Sequence, residues 1–113
     1  MKIAHIVPCR DKAKNLKLAV SSVLNQTRKV DVIFSDQGSE DETLKLLKQH
    51  TKEDAGKNNI QILECPLTDP KGMYGLNTHM DWIIGSTDYD LYIMTAADDW
   101  AHPERNEKVI AAY

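Results

Sequence analysis

Apolar positions recur along the chain in two alternating rhythms. Ile3 to Pro8 is a short apolar run closed by proline, the pattern of a buried strand. Leu16, Ala19, Val20, Val23 and Leu24 then return at helical spacing, and Asp11 is placed to serve as the N-cap of that helix. Val30 to Asp36 is a second strand-like run. Gly38-Ser39 follows, and Ser39-x-x-Glu42 fits a capping box before a helix whose apolar side is Leu44 and Leu47, widened by Leu46. Lys52 to Asn59 is polar and reads as a loop. Ile60 to Cys65 is a third strand, closed by Pro66. Leu67 to Gly75, with Pro70 and Gly72, reads as a longer loop of the functional kind. Leu76, Met80, Ile83 and Ile84 mark a third helix stopped by Gly85, with Trp82 off the apolar stripe and free to touch a partner. Leu91 to Thr95 is a fourth strand, and Pro103 suits the first turn of a last helix running to Tyr113.

Strict alternation of strand and helix predicts an α/β fold: a mainly parallel four-stranded sheet, right-handed crossovers and helices on both faces. Length and composition restrict this picture without altering it. The 113 residues suffice for one small domain. Apolar residues at 42% and charged residues at 27% exclude a disordered tail, a collagen-like chain and a disulfide scaffold. Lys plus Arg at 14 against Asp plus Glu at 17 leaves a net charge of −3, which gives no bulk attraction to nucleic acid or an anionic membrane. No apolar run is long enough for a transmembrane segment, and Met1-Lys2 leads into a strand rather than a signal sequence, so a cytoplasmic location is expected. Cys9 and Cys65 read as reduced thiols at strand ends, against the competing readings of a disulfide or a nucleophile.

In open α/β sheets, ligands bind beyond the carboxyl ends of the strands. Those ends carry Pro8-Cys9-Arg10-Asp11, Asp36-Gln37-Gly38-Ser39, the loop from Asp69 to Gly75, and Ala96-Ala97-Asp98-Asp99. Two adjacent carboxylates repel unless a cation or hydrogen-bond donors stabilise them. Asp98-Asp99 therefore reads either as a Mg²⁺ or Mn²⁺ site or as a turn that caps the last helix. Asp36 reads either as a ribose or base contact or as a turn carboxylate favouring the next helix dipole. Lys71 reads as a phosphate contact or a solvated loop lysine. His102 reads as a metal ligand or a helix-start residue, and Trp100 as a stacking platform or packing beneath its loop. The first βα turn lacks GxGxxG, and no GxxxxGK[ST] occurs, which excludes the common dinucleotide and P-loop classes.

Four stretches, in order, together resemble the nucleotide-binding half of family 2 glycosyltransferases, which have the Rossmann-like GT-A fold. IVPCRDKAKNLKLAVSSVLNQT is similar to the family's opening strand, turn and helix ending in Ser-x-Leu-x-Gln-Thr. VIFSDQGSEDET is similar to its Asp-Asp-Gly-Ser-x-Asp-x-Thr turn, and MTAADDWAHPE to its DxD-containing loop with a downstream proline. Gly72 and Asn77 occupy the places of a glycine and an asparagine before the third helix's core face. The resemblance implies a transferase that binds a nucleotide-diphosphate sugar, a UDP-sugar first of all, with Mn²⁺ or Mg²⁺ on the diphosphate. It places Pro8, Cys9 and Arg10 in the base pocket, Asp36 and Gln37 at the base or ribose, and Asp98 and Asp99 at the ribose and metal.

Three residues depart from the family pattern. Gln37 stands for the second Asp of the turn, Ala96 for the first Asp of the longer DxDD form, and Leu76 for a frequent Arg before Asn77. The resemblance further implies that residues 1–113 form the donor part, with the acceptor half and catalytic base expected beyond Tyr113. A non-catalytic nucleotide-binding module, or one that self-associates as a homodimer, is the competing reading. A nucleotidyltransferase is a third, disfavoured because Pro8 to Lys12 contains no Gly to cradle a triphosphate.

Overall fold

The computed structural model describes residues 1–67 and 75–113. Four strands, β1 (Ile3–Cys9), β2 (Asp31–Asp36), β3 (Ile60–Glu64) and β4 (Leu91–Met94), alternate with α1 (Leu16–Leu24), α2 (Thr43–Asp54), α3 (Leu76–Gly85) and α4 (Arg105–Ala112). The sheet is parallel throughout, in the order β3-β2-β1-β4. Strand order therefore reverses at β1, and the topological switch lies between β1 and β4.

Period-two alternation divides the sheet into two cores. Val7, Cys9, Val32 and Phe34 face one side and pack with Leu16, Val20, Val23, Leu24 of α1 and Leu47 of α2. Ala4, Ile6 and Ile33 face the other and pack with Ile83 of α3. Trp82, Met80, Tyr89 and Tyr92, all partly buried, close over this second core, so Trp82 packs at its edge. Leu76 and Ile84, expected on the apolar stripe of α3, are exposed; Ile83 is buried as expected, and His79 joins it on the buried face. No helix among the described residues is long and apolar enough to cross a membrane.

Pro8 lies inside β1, not at its end, and its neighbours explain why it is tolerated there. The strand continues past Pro8 on the β2 side, with Pro8 opposite Ser35 and Cys9 opposite Asp36. On the β4 side, pairing stops at Ile6 opposite Met94, and the last rung runs from the Thr95 N–H to the Ile6 carbonyl at 3.2 Å. The next donor on that edge would be residue 8. Proline has no N–H to offer, so the β1–β4 ladder ends while β1–β2 goes on. The two strand ends part there.

Two expected helix caps fall differently. Asp11 does not cap α1, which is preceded by Asn15 without a side-chain cap. The Asp11 backbone has φ +50°, which turns its side chain to the β2–α2 turn, where Oδ1 accepts the N–H of Glu40 at 2.7 Å. The Ser39–Glu42 capping box does not form either. Ser39 Oγ donates to Asp36 Oδ1, and Asp41 Oδ1 takes the Thr43 N–H at 2.8 Å. Gly38, with φ +60°, makes the bend that folds Ser39 back on Asp36.

Candidate functional site

The parting of β1 and β4 opens a crevice of about 360 Å³, lined by Pro8, Cys9, Arg10, Lys12, Gln37, Gly75, Leu76, His79, Ala96, Ala97 and Asp98. Five sequence-predicted positions thus meet in one place: Pro8, Cys9, Arg10, Gln37 and Asp98. Asp36 does not line it. That carboxylate is buried behind the turn, where Oδ2 also accepts the Ser39 N–H at 3.2 Å, the geometry of a turn carboxylate. Lys71 and the loop glycine Gly72 lie outside the described residues.

Each wall has a local cause. Cys9 is buried; its thiol donates to the Val7 carbonyl, and burial, reinforced by the Asp36 charge, pushes its pKa up to about 12. Burial thus favours the protonated thiol over the thiolate, and Cys65 is likewise buried and free of a disulfide. The Cys9 carbonyl accepts the Gln37 N–H at 2.9 Å, while Gln37 Nε2 donates to the Leu67 carbonyl at 2.9 Å. That amide bridges the end of β2 to the start of the next loop. His79, unmarked by the sequence reading, forms the crevice floor from α3. Its Nε2 shares a 2.7 Å hydrogen bond with Ser35 Oγ, and burial lowers its pKa to about 4 against the opposing pull of Asp36. Its helical spacing from Ile83 was the available signal.

Lys12 is the other residue missed. Its Nζ stands 3.3 Å from Asp98 Oδ2 across the mouth of the crevice. The backbone around it is held by three consecutive N–H groups: Asp11 to Ser39 Oγ, Lys12 to Thr43 Oγ1, and Ala13 to Asp41 Oδ2. At Asp41, desolvation pulls the pKa up, but the bonds from Thr43 and Ala13 outweigh it and the carboxyl stays below its ordinary value.

The two adjacent carboxylates diverge. Asp98 faces the crevice, whereas Asp99 faces a second cleft of about 570 Å³ beside α4, with Trp100, His102, Arg105 and Lys108. Trp100 is half exposed there, edge-on to His102, and does not pack beneath the loop. His102 Nδ1 accepts the Glu104 N–H at 3.1 Å, a helix-start role. Asp99 Oδ1 accepts the Trp100 N–H at 2.8 Å.

Behind this loop lies a buried clasp. Ser22 Oγ accepts the Ala101 N–H; Gln26 donates to the His102 carbonyl and accepts the Asn106 N–H; the Thr27 N–H reaches the Pro103 carbonyl. Asn106 Nδ2 is committed to the Arg28 carbonyl, so its Oδ1 is the acceptor for His5 Nδ1 at 2.7 Å, and His5 Nε2 accepts from Thr95 Oγ1 at 2.7 Å. Burial lowers the His5 pKa to about 4, although its bond to Asn106 opposes the shift. The Ser-x-Leu-x-Gln-Thr ending of α1 is therefore the fastening of the acidic loop.

Among the described residues no group of three His, Cys, Asp or Glu side chains is placed to hold a metal ion. The chemistry of the donor set still suits a hard cation that takes most of its ligands from phosphate and water, because such an ion needs only one or two carboxylates from protein.

Sheet order, switch-point crevice and acidic loop together define a Rossmann-like α/β unit of the GT-A type. The glycosyl transferase family 2 profile matches residues 5–113, and the chain belongs to that family. No curated protein sequence matches it. Among solved structures, S. aureus TarS 1-349 in complex with UDP superimposes with a TM-score of 0.77 at 20% identity, over 98% of this chain and 31% of that one. The mannosyltransferase PcManGT from Pyrobaculum calidifontis, in complex with GDP-Man and Mn2+, gives 0.79 at 16% identity, again over 98% and 31%. At such identities the likeness establishes the fold. The chain spans about a third of the length of these relatives.

Proposed function

We propose that this chain is the donor-binding part of a family 2 glycosyltransferase, taking a nucleotide-diphosphate sugar, a UDP-sugar in the first instance, for transfer to an acceptor. The observation that carries this reading is the convergence of Pro8, Cys9, Arg10, Gln37 and Asp98 on one crevice at the β1–β4 switch. The fold neighbours that hold UDP, UDP-GlcNAc and GDP-Man lend it support. In this role Pro8, Cys9 and Arg10 flank the base, Gln37 meets its polar edge, and Asp36 orients the turn that presents Gln37. Asp98 takes the ribose or the metal, and Asp99 the metal. When bound, a Mn²⁺ or Mg²⁺ ion would supply charge neutralisation for the departing nucleoside diphosphate, with Asp98 holding it from the crevice and Asp99 joining only on turning from the neighbouring cleft. Lys71 belongs to the proposed phosphate contacts through its sequence position alone. We assign no catalytic base. Two free, buried thiols accord with a reducing, cytoplasmic setting.

Titration calorimetry with UDP, with and without Mn²⁺, tests the reading. Wild type is expected to bind UDP, and to bind it more tightly with Mn²⁺. The double variant Asp98→Ala plus Asp99→Ala is expected to lose the Mn²⁺ enhancement. Equal binding in every case overturns the metal site. Absence of UDP binding together with a stable dimer in sedimentation favours the assembly-module reading.

A further inference from the structure

We propose that Lys12 is a diphosphate-binding residue that also serves, before nucleotide arrives, as the counter-ion of Asp98, so that nucleotide binding is what releases Asp98 to a metal. The proposal rests on the donor-binding reading above. Its basis is the placement of one ammonium. Lys12 Nζ lies 3.3 Å from Asp98 Oδ2, and both side chains line the same crevice. An ammonium and a divalent cation compete for one carboxylate, and the occupied state opposes the incoming ion.

The geometry makes Lys12 suited to a change of partner. The N–H groups of Asp11, Lys12 and Ala13 are all tied to the β2–α2 turn, so the Cα is anchored. The Lys12 carbonyl in turn accepts the Asn15 N–H. Beyond the Cα, the side chain is partly solvated, at 42% exposure, and Asp98 is comparably open at 47%. An exposed ion pair of this kind is weak and exchanges readily. A diphosphate in the crevice presents several oxygens to the same ammonium and displaces the single carboxylate oxygen by charge and number. Asp98 would then be free to contribute its carboxylate to holding a cation in the crevice. Metal and nucleotide therefore bind with positive coupling, and that coupling is reciprocal.

The variant Lys12→Met keeps the length of the stem and removes the charge. Three probes are used on the whole chain: Mn²⁺ alone, followed by loss of the free-ion electron paramagnetic resonance signal; UDP alone; and uridine, which has no phosphate. Lys12→Met is expected to bind Mn²⁺ alone about two- to fivefold more tightly than wild type, the scale of an exposed pair. It is expected to bind UDP about tenfold or more weakly, the scale of a lost charged hydrogen bond, and uridine unchanged. Lys12→Arg restores UDP binding. Unaltered Mn²⁺ and UDP affinities in Lys12→Met overturn the proposal. Weakened uridine binding also overturns it, because Lys12 would then serve the nucleoside. If wild type binds neither UDP nor uridine, the donor reading fails, while the Mn²⁺ titration still decides whether Lys12 holds Asp98.

Discussion

The two sides of the acidic loop are built on opposite principles. Its back is a clasp of Ser22, Gln26, Thr27, His5, Thr95 and Asn106, in which buried polar atoms have partners at about 3 Å or less. Its front carries Asp98, Asp99 and Trp100, all exposed, with one ion pair to Lys12. A buried polar group is costly to orphan, so the back is rigid and specific. An exposed charge is cheap to re-partner, so the front can answer to a ligand. Stability is thus concentrated behind the loop and chemistry in front of it.

Acid is expected to break that division most severely. His5 and His79 are held near pKa 4 in the fold, below the ordinary histidine value of 6.5. Between these values the unfolded chain binds protons that the native one does not, so stability falls as pH drops from about 6.5 towards 4 and is fully restored above 6.5. Urea midpoints across that range should slope by up to about 1.4 kcal/mol per pH unit for each histidine. A flat profile would show that neither ring is buried neutral.

Gln26→Ala attacks the clasp alone. It leaves the Asn106 N–H without its partner and the His102 carbonyl with the Arg105 N–H alone, and should cost about 2 kcal/mol in chemical denaturation. Asp41→Ala, on the β2–α2 turn, removes the acceptor of the Thr43 and Ala13 N–H groups and should cost about 1 kcal/mol by the same measurement. Asp98→Ala plus Asp99→Ala sharpens the contrast from the other side. It should shift stability by less than about 0.5 kcal/mol while removing the metal response of nucleotide binding. Pro8→Val should have the smallest effect on stability. It offers an N–H to the Thr95 carbonyl, and slowed amide exchange at position 8 would mark the extra rung.

Much of the fold is legible in the sequence because its signals are local and periodic. The α1 positions Leu16, Ala19, Val20, Val23 and Leu24 are all buried as their spacing predicts. The misplacements occur where tertiary contacts overrule local pattern. Asp11 looks like a cap for the helix after it, but a left-handed backbone turns it to a turn twenty-nine residues away at Glu40. On α3 the chain buries His79 because Ser35 on β2 provides a partner, and no helical period announces that hydroxyl. At the site, the strand-end rule gathers Pro8, Cys9, Arg10, Gln37 and Asp98 without knowledge of the fold. It cannot separate Asp98 from Asp99, which are adjacent in sequence yet look into different clefts. Nor does it single out Lys12, one lysine among many until Asp98 is seen across from it.

The proline in β1 gives the crevice an unusual permanence. A hollow kept open by bulky side chains can be filled or collapsed by changing them. This one is set by valence: a nitrogen already bonded to three carbons cannot close the next rung towards Thr95. The walls can therefore be rewritten residue by residue, to favour one base or one sugar over another, and the doorway stays where a single ring put it.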